Sequence, residues 1–158
     1  MYTDKEDVRI VQVEVVDESL KALLLLADPN LSLVEKYVER GFIYGLRNQD
    51  QWVGEYVLLG TGPQTVEIMN VAVREDAQGN GYGEMLVRDA IKRAFSEGYH
   101  RIDIATGSTG TQQLYLYQKC GFRMMSIERD YFVEHYDEPI YEHGIQLRDL
   151  VRLSISRL

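Results

Sequence analysis

Residues 74–83 read Arg74-Glu75-Asp76-Ala77-Gln78-Gly79-Asn80-Gly81-Tyr82-Gly83, and they join a β-branched run, Thr65 to Val73, to a stretch of period 3.6. Glycines at three alternate positions let the backbone approach a ligand closely and turn its amides in one direction. The helix that follows adds partial positive charge at its start. Such a loop holds phosphate oxygens. It is not a Walker A loop, because Gly83 is followed by Glu84 and Met85 rather than by Lys and a hydroxyl residue. A dinucleotide fingerprint draws support from Asp103, 20 residues beyond Gly83, but five residues separate Val73 from Gly79 where that fingerprint begins its glycines at the strand end.

Working outward, Val87, Ala90, Ile91, Ala94 and Phe95 fall on one helical face and Arg88, Asp89, Lys92, Arg93 and Glu97 on the other, with Gly98 as the stop. Upstream, Phe42–Arg47, Trp52–Leu59 and Thr65–Val73 are strand-like and separated by short turns, which predicts an antiparallel meander. Val8–Val15 reads as a first strand. Leu20, Leu23, Leu24 and Ala27 form a helical stripe that ends before Pro29. Ser32-Leu33-Val34-Glu35 reads as a capping box, opening a helix with Leu33, Val34, Tyr37 and Val38 inward and Gly41 at its end. Downstream, His100–Thr106 is a strand, Thr111–Cys120 a helix closed by Gly121, and Phe122–Ile127 and Leu147–Ile155 are strands. The expected order is β-α-α-β-β-β-α-β-α-β-β. No repeat, linker or composition shift interrupts it, so one mixed α/β domain over residues 1–158 is expected.

The chain has 158 residues with 17 basic and 25 acidic side chains, a net charge of −8. That balance opposes nonspecific attraction to nucleic acid or anionic membrane and favours cationic partners. A lone cysteine, Cys120, allows no internal bridge and points to a reducing compartment. The longest wholly apolar run, Ala22–Ala27, is too short to cross a bilayer or to serve as a signal segment. A cytoplasmic protein is expected. His100, His135 and His143 show no ligand spacing, and no metal is expected.

These residues resemble the GCN5-related N-acetyltransferase (GNAT) superfamily. Gln78-Gly79-Asn80-Gly81-Tyr82-Gly83 meets its pyrophosphate motif; Glu67-Ile68-Met69-Asn70-Val71-Ala72-Val73 looks like its fourth strand; Leu116-Tyr117-Gln118-Lys119-Cys120-Gly121-Phe122 looks like its Leu-Tyr-x-Lys-x-Gly-Phe segment. The resemblance is strong from Phe42 to Ile127 and extends loosely to the whole chain. It implies a mostly antiparallel sheet of about seven strands, splayed between the fourth and fifth, with about four helices. It also implies acetyl-CoA as cosubstrate: Val71 and Val73 would hold the pantetheine by main chain, and Gln78, Gly79, Asn80, Gly81, Tyr82 and Gly83 the pyrophosphate. Amides near Val71 would then stabilise the oxyanion of the reaction. Where the family often carries an Asn that bonds the pantetheine after the fifth strand, this chain has Thr106-Gly107-Ser108-Thr109-Gly110; the resemblance implies Ser108 or Thr109 for that contact, and the segment equally fits a plain Gly-rich connection.

A primary amine with pKa near 10.4 is protonated at neutral pH, so transfer needs a proton acceptor. The resemblance assigns Glu67, which strand alternation would place on one face with Met69, Val71 and Val73. Glu55 on the neighbouring strand is the competing carboxylate. The departing thiolate takes a proton, and Tyr117 matches the family's tyrosine near the sulfur; with Tyr115 adjacent, helix register decides which ring faces inward. From Glu128 to His143, six carboxylates stand against Arg129 alone, interleaved with Tyr131, Phe132, Tyr136 and Tyr141. Asp137, Glu138 and Tyr136 would suit a cationic amine such as a polyamine, an aminosugar or a basic peptide end. The same stretch also fits a solvated acidic loop. Cys120 has no activating base nearby in the motif, which favours direct transfer in a ternary complex.

The expected activity is acetyl transfer from acetyl-CoA to a primary amine. Two other readings stay open: a non-catalytic acyl-CoA binding module, which would need neither Glu67 nor Tyr117, and a Rossmann-type nucleotide enzyme. Pairing of two chains through their last strands is a further arrangement the sequence leaves open.

Overall fold

The computed structural model describes residues 7–158; residues 1–6, which the sequence reading placed in the domain, lie outside the described residues. The elements run β1 (Val8–Val13), α1 (Glu18–Ala27), α2 (Leu31–Arg40), β2 (Phe42–Asn48), β3 (Gln51–Gly62) and β4 (Thr65–Val73). A 3-10 turn over Glu75–Ala77 leads to α3 (Tyr82–Ser96), β5 (Arg101–Gly107), α4 (Thr111–Lys119), β6 (Arg123–Glu128), α5 (Tyr131–Glu134), β7 (Ile140–Glu142), β8 (Ile145–Leu147) and β9 (Leu150–Ser156). Seven strands form one sheet in the order β1-β2-β3-β4-β5-β9-β6. Strands β1 to β4 are antiparallel, β4 and β5 are parallel, and β5, β9 and β6 are again antiparallel.

Helix starts follow local chemistry. The Asp17 carboxylate accepts the Leu20 amide at 2.8 Å and opens α1. For α2 the expected Ser32 box is corrected: Asn30 is the cap, its Oδ1 accepting the Leu33 amide at 3.2 Å and the Ser32 hydroxyl at 3.0 Å. Asn30 lies three residues before Leu33, where a cap oxygen reaches the third amide, so Ser32 falls inside the first turn.

Two cores sandwich the sheet. Leu86, Val87, Ala90 and Ala94 of α3 pack with Tyr56, Leu58, Val66, Ile68, Ile102 and Ile104 on one face. Leu20, Leu23, Leu24, Val34 and Tyr37 of α1 and α2 pack with Ile43 and Val57 on the other. Tyr56 ties β3 to α3 through a 2.6 Å hydrogen bond to Asp89.

The structure adds detail to the expected fold. Among the described residues there are five helices where about four were expected, and a hairpin of β7 and β8 occupies the stretch read as loop and as the start of the last strand. Elements of three or four residues carry hardly more than one period of either pattern, so periodicity cannot register them. The last strand, β9, lies between β5 and β6, which closes it to pairing with a second chain. Among the described residues, no helix is long and apolar enough to cross a membrane.

Candidate active site

The parallel pair β4–β5 is short. Partners run from Thr65↔Arg101 to Ile68↔Ile104, after which β4 continues to Val73 on β3 and β5 to Gly107 on β9 without pairing with each other. The parting coincides with an irregularity: Val57 pairs with Asn70 and Leu58 with Ile68, so Met69 is an extra residue bulged out of β4. A cleft of about 760 Å³ opens in the gap.

This bulge corrects the expected alternation. Val66 and Ile68 pack with the α3 core, and so do Val71 and Val73, whereas Met69 packs with the α1–α2 core and Asn70 donates to the Leu24 carbonyl of α1 at 2.8 Å. Glu67 and Met69 therefore face the α1–α2 side, while Val71 and Val73 face α3. The inserted residue inverts the faces midway along the strand.

Main-chain groups of β4 line the gap where a pantetheine would run. The Arg74 amide donates to Val53 at 2.8 Å, and Gly54 pairs with Val73 and Tyr56 with Val71. Hydrogen-bonded and non-bonded pairs alternate, so the amides and carbonyls of Val71 and Val73 point away from β3 into the gap. Gln78 Nε2 donates to the Val73 carbonyl at 3.1 Å, which makes this side chain a strut for the strand end. Asn80 donates to the Ala77 carbonyl at 2.9 Å and closes the 3-10 turn.

Beyond them, Gly79 and Gly81 have φ of +84° and +82°, and no atom lies within 4 Å of where a Cβ would stand on either. Gly81 is the cap of α3 and offers no side-chain acceptor, so the first-turn amides of Tyr82 and Gly83 stay open to an anion. Gly83 approaches Leu116 of α4, where a Cβ would meet Leu116 at 3.4 Å. The open amides, the positive-φ glycines and the parted strands fit the diphosphate and pantetheine of acetyl-CoA.

Two ionisable side chains reach the gap from opposite faces. Glu67 is largely buried; desolvation pushes its carboxyl up, and the Arg152 guanidinium, 3.8 Å away, pulls it back. Arg152 is itself held by Glu128 at 2.8 Å. On the other side Tyr117 is buried against Phe122 while Tyr115 is exposed, which settles the register in favour of Tyr117. Burial raises the Tyr117 hydroxyl well above its ordinary value, so it carries its proton at neutral pH.

Other expected residues fall elsewhere. Glu55 lines no part of the cleft: it is fully buried on the α1–α2 side between Gly45 and Ala72, and both oxygens lack a partner. Desolvation holds its carboxyl well above the usual range. Asp137 and Glu138 are exposed in the turn before β7 and outside the cleft, whereas Tyr136 lines it. Ser108 is exposed; the neighbouring Thr109 hydroxyl donates to Glu142 at 2.8 Å. Cys120 is buried and free, its thiol raised by desolvation.

The sequence reading missed Asp28, Tyr37, Asn70 and Arg152, all of which line the cleft. Asn70 was legible as an amide within an otherwise apolar stretch of strand, and Arg152 as a cation within another.

A fold of this kind, with strands parted over an uncapped glycine loop, defines a class. The Acetyltransferase (GNAT) family profile matches residues 15–122, and the chain belongs to that family of acetyltransferases. It is similar to an uncharacterized N-acetyltransferase, YvbK, of Bacillus subtilis (strain 168), with 51% identity over 151 residues, 96% of this chain and 97% of that one. Among solved structures it is similar to a Bacillus subtilis acetyltransferase in complex with CoA, at 50% identity and TM-score 0.93, covering 96% of this chain and 99% of that one. A GNAT family acetyltransferase from Elizabethkingia anophelis with acetyl-CoA bound is similar at 37% identity and TM-score 0.92, covering 97% and 100%.

Proposed function

We propose that this chain, as one domain over residues 1–158, is a cytoplasmic enzyme that transfers an acetyl group from acetyl-CoA to the primary amine of a cationic acceptor, in a ternary complex. The observation that carries this reading is the approach of Glu67 and Tyr117 to one gap from opposite faces of the sheet. Acetyl-CoA supplies an acyl thioester.

The residues divide the work. Gly79 and Gly81, with the amides of Asn80, Tyr82 and Gly83, hold the diphosphate, and Gln78 braces the strand end through the Val73 carbonyl. Val71 and Val73 offer main-chain groups to the pantetheine, and the Val71 amide is aimed to stabilise charge on the acyl oxygen. Glu67 takes a proton from the acceptor ammonium, directly or through water, and freeing the nitrogen lone pair lets the N–C bond form as the C–S bond breaks. Tyr117 protonates the departing sulfur. Of the two protons the ammonium loses, one leaves through Glu67 to solvent and the other restores Tyr117.

Desolvation raises the Glu67 carboxyl, and a carboxylate with a raised pKa is the stronger proton acceptor, closer in proton affinity to the ammonium from which it takes the proton. The cleft's acidic lining of Asp28, Glu67 and Glu142 against Arg152 supports a cationic acceptor.

The test is release of free CoA from acetyl-CoA across a panel of primary amines, beside calorimetric titration with CoA. Turnover with amines supports the reading. Binding of CoA without turnover on any amine would leave a binding module instead.

A further inference from the structure

We propose that the acceptor is a linear diamine whose non-reacting ammonium is held at Asp28, between the hydroxyls of Tyr37 and Tyr136 and beside Asn70. The proposal rests on the reading that acetyl transfer takes place at Glu67 and Tyr117.

Asp28 directly follows α1, where the chain turns into Pro29. Its Oδ1 accepts the Asn30 amide at 3.1 Å and the Tyr136 hydroxyl at 3.4 Å, and its Oδ2 accepts the Tyr37 hydroxyl at 3.4 Å. Tyr37 comes from the next helix, α2, and Tyr136 from the segment after α5, 108 residues from Asp28 in the chain, so a neighbouring and a distant segment converge on one carboxylate. Glu67 in the same cleft has Arg152, but among the described residues no Lys, Arg or His lies within ion-pair distance of Asp28. A half-buried carboxylate with hydroxyl donors and no cation is an electrostatically incomplete site.

Asn70 supplies an independent observation. It is 4% exposed and lines the same cleft. Both hydrogens of its Nδ2 are spent, on the Leu24 carbonyl and the Tyr37 oxygen at 2.8 Å each, which fixes the amide orientation. Its Oδ1 is left buried without a partner. A buried acceptor of this kind calls for a donor, and an ammonium carries three, to be shared with Asp28 directly or through a water.

The wall beside Asp28 suits the rest of the molecule. Phe132 stacks on Tyr136 with centroids 5.5 Å apart and meets Tyr131 edge-on at 5.1 Å. These rings offer apolar area to an alkyl chain and π faces to a cation. Asp28, Tyr131 and Glu67 line one cleft, so a linear chain lying along it can present its reacting nitrogen at Glu67 while its other end stays charged at Asp28. Only the first nitrogen loses protons and gains the acyl carbon; the distal ammonium passes through the reaction unchanged.

The experiment measures CoA release by the full chain with linear terminal diamines and with monoamines of matching length, for the wild type, Asp28→Asn and Tyr136→Phe. The wild type should favour the diamine by ~10- to 100-fold in kcat/KM, mainly through KM. Asp28→Asn should bring that ratio to about one, and Tyr136→Phe should lower it severalfold by freeing one side of the carboxylate. Thermal protection by CoA reports that each variant is folded. If Asp28→Asn does not fold, the wild-type ratio and Tyr136→Phe decide. A wild type that turns over monoamines as well as diamines overturns the proposal while leaving acetyl transfer intact, as does a ratio unmoved in the variants. No turnover with any amine, despite CoA binding, overturns both readings together.

Discussion

Arg152 on β9 reaches toward the parted strands and brings its guanidinium within 3.8 Å of the Glu67 carboxylate, while its other amino group holds Glu128 at 2.8 Å. One cation thus divides its field between a cleft carboxylate and one on the sheet edge.

With Glu67 as the proposed base, that arrangement should set the acid limb of the pH–rate profile. Arg152 lowers the Glu67 carboxyl against desolvation, so removing it lets the carboxyl rise, and a base with a raised pKa is ionised only at higher pH. Arg152→Gln should move the acid limb of kcat/KM to higher pH. Glu128→Gln leaves the guanidinium to Glu67 alone and should move the limb the other way. A limb that ignores both changes would remove Glu67 as the base.

Tyr117→Phe keeps the ring that packs edge-on against Phe122 at 6.3 Å and deletes only the hydroxyl. Turnover should fall by ~10²-fold, the lower end of what general acid catalysis contributes, while CoA still protects against thermal unfolding. Measuring kcat and thermal shift together separates loss of the acid from loss of the fold.

Glu55 should make stability depend on pH. Its folded carboxyl is held above the ordinary 4.5 by desolvation, so the stability present below that pH is lost as the pH rises toward the folded value. In the unfolded chain the group ionises freely; in the fold it must stay protonated or be buried charged. Glu55→Gln, neutral at every pH, should melt above the wild type at neutral pH by about 2–4 °C, the equivalent of ~1 kcal/mol in a chain of this size. The difference should shrink on acidification and vanish below pH 4.5, which paired melting curves at several pH values would read.

The glycines of the loop should separate by backbone geometry. Gly81→Ala forces an L residue to φ +82°, a strain of about 1–2 kcal/mol, and should weaken CoA binding ~10-fold or more in calorimetry, because the amides it orients move. Gly83→Ala sits in helical backbone and meets Leu116 at an ordinary 3.4 Å. It should leave the melting temperature unchanged or slightly higher, through better helix propensity.

Much of this was legible in residue order. Thr65–Val73 and the glycine run that follows it place a strand, a glycine loop and a helix in succession, and all three appear at those positions. Local pattern also separated inward from outward residues on α3, because a helix repeats its faces every few residues whatever surrounds it. Alternation misled at Glu67, since one bulged residue, Met69, exchanges the faces of everything beyond it, and a bulge has no local signature in a run of β-formers. The acidic stretch misled in a different way: its exposed members, Asp137 and Glu138, drew notice by composition, while the carboxylate that lines the cleft there is Glu142.

Short-range chemistry, written along the chain, determined the order of strands and helices and the glycine loop before α3, because turns, caps and periodic faces depend on neighbours a few positions away. Only the tertiary structure decided what surrounds the acceptor. Asp28, Asn70, Tyr136 and Arg152 are separated by tens of residues and share a cleft because the sheet parts at one bulge, and charge and burial act through space, where the order of residues carries no distance.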